Sequence, residues 1–501
     1  MIREFIHYSQ SIDEMLFNSI EFALFLPVMF VLYWSVPKRY WQGQNILLLL
    51  GSYFFYSCWD FRFLFLLIFS TLLDYYTGLK MASASDARSK KRWFWLSVVV
   101  NLGFLGIFKY YNFFSASFAA ALSHLGLTVN PWTLRVILPV GISFYTFHGL
   151  SYVIDIYKNR IRPEKNFIDY ALFVSFFPLL VAGPIERATH LLPQVRNKRT
   201  FDYDNAVDGL RQMLWGFFKK VAIADTCAIF VNHIFSNYTA YNGSTLVLGA
   251  LFFAFQIYCD FSGYSDIAIG TARLFGFDLL RNFAFPYFSR DVAEFWRRWH
   301  ISLSSWFRDY LYIPLGGSKG NVWMKVRNTF IIFLVSGYWH GANWTYIVWG
   351  LLNALYILPS VLSGTNRVHL DIVAKGRYLP SLKEGIAMLG TFGLTIVAWI
   401  FFRAENVGQA FHYVSRILST SSLHAPDGKA FLGARFSFYQ TAIMILLFLL
   451  IEWLGREQPY AIAHLRYKAP LVGRWAFYIC LIGLICYLLT ESEKPFIYFQ
   501  F

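Results

Sequence analysis

Two histidines forty residues apart stand out in a largely apolar chain. His340 lies in SGYWHGANWTYIVWG and His300 in EFWRRWHISLSSWFRDYLYIPLGG. An imidazole set among apolar segments serves as a general base, a proton relay or a hydrogen bond between helices. Gly337 and Gly341 flank His340, and Asn343 follows three residues later. The glycines loosen the backbone there and the amide adds a polar group, which suits a wet, shaped site. One imidazole could take a proton from an incoming nucleophile while the other orients a group or holds the substrate. Asn343 could donate to a developing oxyanion. The same stretch offers Arg297, Arg298, Trp299, Ser302, Asp309, Tyr338 and Trp339 as binding or supporting residues.

The arginines suggest a second chemistry. Arg297, Arg298 and Arg308 suit the phosphates of a CoA or phosphopantetheine tail, and equally suit anionic lipid headgroups. His148, with Asp155 seven residues on, reads first as a hydrogen bond between helices. Glu186 and Arg187 follow Gly183-Pro184 and form either a buried ion pair or a loop cap. The sequence has no P-loop, GxGxxG or HExxH. ATP, dinucleotide and metalloprotease chemistry therefore lack support. Cys58, Cys227, Cys259, Cys480 and Cys486 lie in or beside apolar runs, with no CxxC among them. They read as small buried side chains, so no metal site and no required disulfide are expected.

Composition indicates what must position these residues. Of 501 residues, 57% are hydrophobic, 20% aromatic and 15% charged. A soluble domain is about half apolar and a quarter charged. The chain therefore reads as an all-α polytopic membrane protein. Its net charge of +15 sits in short clusters between apolar runs. That is the pattern of cytoplasmic loops, and no nucleic-acid partner is expected. Asp13, Glu14 and Glu21 occupy the place where a cleavable signal would be basic.

Apolar runs cover 22–36, 45–59, 61–79, 93–114, 136–157, 246–275, 386–402, 438–454 and 472–489, with a bent pair over 326–362 that breaks at His340-Gly341. The weaker run 116–127 reads as interfacial or re-entrant. The basic segments 80–92 and 158–165 both mark the cytoplasmic side. Segment 186–199 is also basic, so the run 167–185, interrupted by Pro178, Gly183 and Pro184, reads as broken or re-entrant. Residues 208–235 read as a helix with Lys219 and Lys220 at the surface or at half depth. Asp260 and Asp266 are six apart, off any single helical face, with Gly263 expected to break the helix between them. Residues 294–308 read as one interfacial or re-entrant helix striped by Phe295, Trp299, Leu303 and Trp306. The total is about 11–13 membrane segments. No internal repeat is visible, which counts against a carrier built from inverted repeats.

Several motifs together resemble the membrane-bound O-acyltransferase (MBOAT) family, in its branch that acetylates alginate and other bacterial polysaccharides. They are MLFNSIEFALFLP, LPVGISFYTFHGLSYVIDIY, AGPIER, QIYCDFSGYSDIAIG, NFAFPYFSRDVAEFWRRWHISLSSWFRDYLYIPLGG, SGYWHGANWTYIVWG and, in the tail, FRAEN. The resemblance implies an MBOAT-type bundle with re-entrant helices around a central funnel. It places the family's membrane histidine on His340 and a second polar-site residue on His300. It implies transfer of an acyl group, most simply acetyl, with acetyl-CoA or another acyl thioester as donor substrate and no bound cofactor. The donor enters from the cytoplasm and the acceptor is reached on the far face. The implied setting is the bacterial cytoplasmic (inner) membrane, with the lipid bilayer around the helices, a polysaccharide acceptor (alginate-like, cellulose or peptidoglycan) and a separate extracytoplasmic SGNH-type acetyltransferase partner. Residues 1–14 then form an N-terminal extension, 15–362 the catalytic membrane core, and 363–501 C-terminal membrane helices with polar connections. His148 departs from the family pattern, where Gln or Glu is commoner. Two other functions would need similar intramembrane polar residues: D-alanyl transfer to teichoic acid, and a non-enzymatic transporter or export-complex component.

Overall fold

The computed structural model describes residues 15–127, 129–134, 137–180, 183–431, 437–465, 470–489 and 496–497. The expected extension 1–14 lies outside the described residues, as do residue 136 and residues 181–182 of two expected runs. Every regular element among the described residues is helical. Seven helices are long and apolar enough to cross a bilayer. They belong to two compact units, Met1–Gly209 with Thr271–Leu280, and Leu210–Gly270 with Arg281–Phe501.

The first unit contains α1 (Ile20–Ser35), α2 (Trp41–Ala82), α3 (Ala87–Leu105), α4 (Tyr111–His124), α5 (Ile142–Tyr157), α6 (Phe167–Ser175), α7 (Phe177–Leu180) and α8 (Ala188–Arg196). Ser19 caps α1 by accepting from the Phe22 amide. The expected runs 45–59 and 61–79 join as α2, kinked where Asp60 leaves helical geometry at φ −163° and ψ 111°. A π-turn, Gly106–Tyr110, joins α3 to α4, so run 116–127 continues the preceding helix and is not a separate element. The break expected within 167–185 is present: α6 stops at Ser175 and α7 starts after the non-helical Phe176.

The basic segments of this unit gather at one end. Lys90 Nζ donates to Asn159 Oδ1 at 2.6 Å, and Arg196 pairs with Glu164. Segments 80–92, 158–165 and 186–199 thus share a side, as a returning segment between α5 and α8 requires. Polar groups inside the apolar helices are paired. Asp74 accepts from Ser97 Oγ at 2.5 Å and Asn101 Nδ2 at 2.8 Å.

The second unit holds most of α9 (Tyr203–Phe217), which begins in the first unit, and most of α11 (Gly243–Leu274), which ends there. Between them comes α10 (Asp225–Ser236). Then follow α12 (Val292–Arg298), α13 (Ile301–Phe307), α14 (Val322–His340), α15 (Trp344–Leu362), α16 (Leu382–Arg403), α17 (Val407–Ile417), α18 (Phe438–Gly455) and α19 (Leu471–Leu488). A π-turn, Phe218–Ala224, joins α9 to α10.

That turn corrects two expectations. Lys219 and Lys220 are buried, not at the surface, at 3% and 1% exposure. Lys219 Nζ lies 2.6 Å from Asp266 Oδ2 and 2.9 Å from Ser262 Oγ. Lys220 Nζ lies 2.7 Å from Asp260 and 2.8 Å from Asp225. The wider turn brings both neighbouring lysines inward, each to its own carboxylate. Gly263 does not break α11, which is one helix of 32 residues. A Cβ at Gly263 would lie 2.8 Å from the Gly216 carbonyl oxygen, and one at Gly216 would lie 2.6 Å from that of Gly263. The glycine pair lets the two helix backbones touch. The cysteines also differ from expectation: Cys227 and Cys259 are buried, but Cys480 and Cys486 are exposed on α19.

Candidate active site

The stretch 294–308 is two short helices, not one. α12 ends at Arg298, Trp299 is extended at φ −103° and ψ 129°, and α13 begins after His300. His300 is left-handed, at φ 44° and ψ 54°. That conformation costs a non-glycine residue about 1–2 kcal/mol, so the surroundings must impose it. They do so through Asn282, which is fully buried. The Ile301 amide donates to the Asn282 carbonyl at 2.9 Å, and Ser302 Oγ donates to Asn282 Oδ1 at 2.6 Å. The Ala284 amide donates to Arg298 O at 2.9 Å. Segment 282–284 thus clamps the break from both sides. Ser302 holds this clamp.

His300 is 1% exposed, where the sequence placed it on a partly exposed helix. Both ring nitrogens are buried without a hydrogen-bond partner among the described residues. An unsatisfied buried polar group costs about 1–3 kcal/mol, so this imidazole is kept for something other than stability. Burial pushes its pKa well below the usual histidine range, leaving the ring neutral. Its ring is edge-on to Phe261 at 4.7 Å and faces Trp339 at 6.1 Å.

His340 ends α14, and the expected break falls immediately after it. Its ring is boxed by Trp339 at 4.8 Å, Trp349 at 5.0 Å and Phe402 at 5.3 Å. Trp339 therefore contacts both imidazoles. Gly341 is extended, at φ −168° and ψ 159°, a conformation open to any residue. The glycine is needed for space and not for flexibility, because the Tyr346 ring occupies the place of its Cβ. Along the same seam Gly337 faces the Tyr346 carbonyl and Gly350 faces the Phe333 carbonyl, with no room for a Cβ at either.

The remaining candidates take structural positions. Asn343 caps α15: its Oδ1 accepts from the Thr345 amide at 3.0 Å and its Nδ2 donates to Glu405 O at 2.8 Å. Both ends of the amide are used, so the expected oxyanion donor is a helix cap. Arg297 donates to the carbonyls of Asn366 and His369, each at 2.8 Å. Arg298 lies 2.7 Å from Glu294 and donates to Asp371 O at 2.9 Å. Neither arginine is left open for a phosphate or a headgroup. Glu294, 1% exposed, also holds Arg290, which reaches Asp371 at 2.9 Å and keeps that carboxyl below its usual range. Trp299 is a core anchor, 5.0 Å from Trp399 and stacked on Phe295 at 5.5 Å. Asp309 pairs with Arg308 at 2.7 Å, and Tyr338 is half-buried.

In the first unit, His148 is fully buried and its Nε2 accepts from the Glu186 amide at 3.1 Å. The Glu186 carboxylate instead takes His190 Nδ1 at 2.8 Å and the Leu280 amide at 2.6 Å. Sequence reasoning missed Asn282, Trp349, Phe402 and His190. Only Asn282 carried a signal, as the lone amide opening NFAFPYF.

Two buried imidazoles sharing one indole, carried on apolar helices, suit proton transfer within a membrane. The sequence profile of the membrane-bound O-acyltransferase family matches residues 158–383, which include both histidines. The chain belongs to this family and is a multi-pass membrane O-acyltransferase. It is 40% identical to the probable alginate O-acetylase AlgI of Pseudomonas aeruginosa, over 91% of this chain and 84% of that protein. It is 37% identical to the peptidoglycan O-acetyltransferase of Helicobacter pylori, over 79% and 78%. The teichoic acid D-alanyltransferase of Streptococcus thermophilus is 27% identical, over 58% and 75%.

Proposed function

We propose that the protein moves an acetyl group from a cytoplasmic thioester, acetyl-CoA or an acylated carrier, for O-acetylation of an alginate-like polysaccharide outside the cytoplasmic (inner) membrane. His340 is the general base and His300 assists. The observation that carries this reading is the shared indole: Trp339 packs against both buried imidazoles. The identity to the alginate O-acetylase, higher and over more of the chain than to the peptidoglycan enzyme, supports an alginate-like glycan.

In the transfer, His340 takes the proton of the acceptor hydroxyl as its oxygen bonds to the acetyl carbon. A neutral His300 donates an N–H to the thioester carbonyl oxygen as charge develops there, the role first given to Asn343. The carbon–sulfur bond then breaks, and the thiolate recovers the proton from His340. A separate extracytoplasmic SGNH-type transferase completes delivery to the polymer.

The test is transfer of labelled acetyl from acetyl-CoA by purified protein in bilayer nanodiscs. Loss of a general base lowers such a rate roughly 10²–10⁴-fold, and His340→Ala is expected to fall in that range while still inserting normally. Near-normal transfer would overturn the assignment.

A further inference from the structure

Asn282 is used twice in the break at His300, and each time as an acceptor. Its carbonyl takes the Ile301 amide at 2.9 Å, and its Oδ1 takes Ser302 Oγ at 2.6 Å. Those two bonds pin the side-chain amide alongside residues 300–302. The amide nitrogen, Nδ2, is left over. It is buried and has no hydrogen-bond partner among the described residues. An orphaned donor of this kind costs about 1–3 kcal/mol. The clamp needs only acceptors, so stability does not account for the donor. A second orphan stands next to it, since both nitrogens of His300 are also buried and unpartnered. Phe261 packs on His300 at 4.7 Å and on Phe283, the residue after Asn282, at 5.0 Å. One ring therefore touches the imidazole and the residue beside the amide.

We propose that Asn282 Nδ2 is a further catalytic donor, which joins the His300 N–H in holding the thioester carbonyl oxygen as it takes up charge. The inference rests on the acyl-transfer reading above and adds a residue to it. A carbonyl oxygen has two lone pairs, so two donors serve it at once. When the acceptor oxygen bonds to the acetyl carbon, the π electrons of the carbonyl move onto this oxygen. When the carbon–sulfur bond breaks, they return, and the sulfur leaves with the bonding pair. No proton passes through Asn282. Its amide only binds the charge, and a donor fixed beforehand does so without reorganising. The clamp provides that fixing, because Ser302 holds the Oδ1 end of the amide. The residue that imposes the left-handed backbone of His300 thus also ties the second donor to the imidazole. Asn343 has no such donor to give, since both ends of its amide are spent on capping α15 and on Glu405.

The experiment uses the full chain in nanodiscs with acetyl-CoA. Asn282→Leu removes the donor together with the Oδ1 acceptor, whereas Ser302→Ala removes only the bond to Oδ1. Loss of one oxyanion donor lowers kcat roughly 10²–10³-fold. Asn282→Leu should fall in that range with little change in KM, and Ser302→Ala should lose far less. Equal losses in the two variants assign Asn282 to the clamp alone and overturn the proposal. Infrared spectra of bound acetyl-CoA, isotopically labelled at the acetyl carbonyl, give a reading that a purely structural role would not move. The carbonyl stretch should lie lower in the wild type than in Asn282→Leu, because each donor weakens the carbonyl bond. The same stretch in both also overturns the proposal. If the leucine variant does not insert, Asn282→Asp keeps the acceptor for Ser302 and removes the donor, and the same readings apply. The spectra need no turnover. If the wild type does not consume acetyl-CoA but the stretch still differs between it and the variant, the proposed function fails and the contact of Asn282 with the carbonyl stands.

Discussion

The imidazole of His300 stands edge-on to the ring of Phe261, with centroids 4.7 Å apart and planes at 86°. Phe261 sits in α11 between Asp260 and Ser262, which hold Lys220 and Lys219 from the π-turn. The buried ion pairs therefore fix the rotation of the helix that presents Phe261 to the site.

Lys220→Met removes the cation between Asp260 and Asp225. Breaking one side of a buried pair costs about 3–5 kcal/mol. The variant should unfold at a markedly lower temperature in detergent than the wild type. Adding Asp260→Asn and Asp225→Asn should recover much of the loss. An unchanged melting temperature in the single variant would contradict the pairing.

Gly337→Ala places a methyl group against the Tyr346 carbonyl, and that backbone cannot swing aside as a side chain does. Overpacking of this kind typically costs about 1–3 kcal/mol. Because Trp339 and His340 follow within one turn, activity should fall along with stability. Gly385→Ala on α16, where a Cβ meets open space, is the control and should leave both unchanged.

At His300 the backbone and the imidazole can be tested apart. Asparagine tolerates the left-handed conformation better than most residues. His300→Asn should keep a near-normal melting temperature while acetyl transfer drops at least ten-fold. His300→Val, β-branched at a positive φ, should lose stability as well. Equal activity of His300→Asn and wild type would remove the imidazole from the mechanism.

The Glu186–His190 pair predicts a pH effect on stability. The hydrogen bond that His190 donates to Glu186 raises the His190 pKa, and burial raises that of Glu186. Groups whose folded pKa is raised stabilise the fold below their unfolded values and lose that contribution as pH rises through the folded ones. The His190 contribution is complete below about pH 6.5, its ordinary value, and is lost above it. Melting temperature should therefore fall more steeply above that pH in the wild type than in His190→Gln. Parallel curves would show that the pair does not titrate in this window.

The sequence made some of this plain and hid the rest for physical reasons. The turn after His340 was legible because glycine, alanine and asparagine interrupt an aromatic run, and such breaks carry their own residues. The break at Trp299-His300 was not, because Phe295, Trp299, Leu303 and Trp306 keep helical spacing straight through it. The left-handed backbone of His300 is imposed by Asn282, and no local residue announces it. Lys219-Lys220 looked like a surface pair because an α-helix cannot turn two neighbours inward to separate partners, and a π-turn can. Gly263 looked like a helix breaker because the helix facing it at Gly216 is invisible in a linear reading.

The turn at Phe218–Ala224 also has a bearing on how the chain tolerates changes of length. A π-turn holds one residue more than an α-helix drawn between the same ends. Deleting one residue there would let the segment rewind as ordinary helix between the same ends, so buried positions of α10 such as Cys227 and Val231 would keep their places. The two lysines could no longer both turn inward, and one would leave its carboxylate. A shortening that the packing beyond absorbs unnoticed would here be felt by a single buried ion pair.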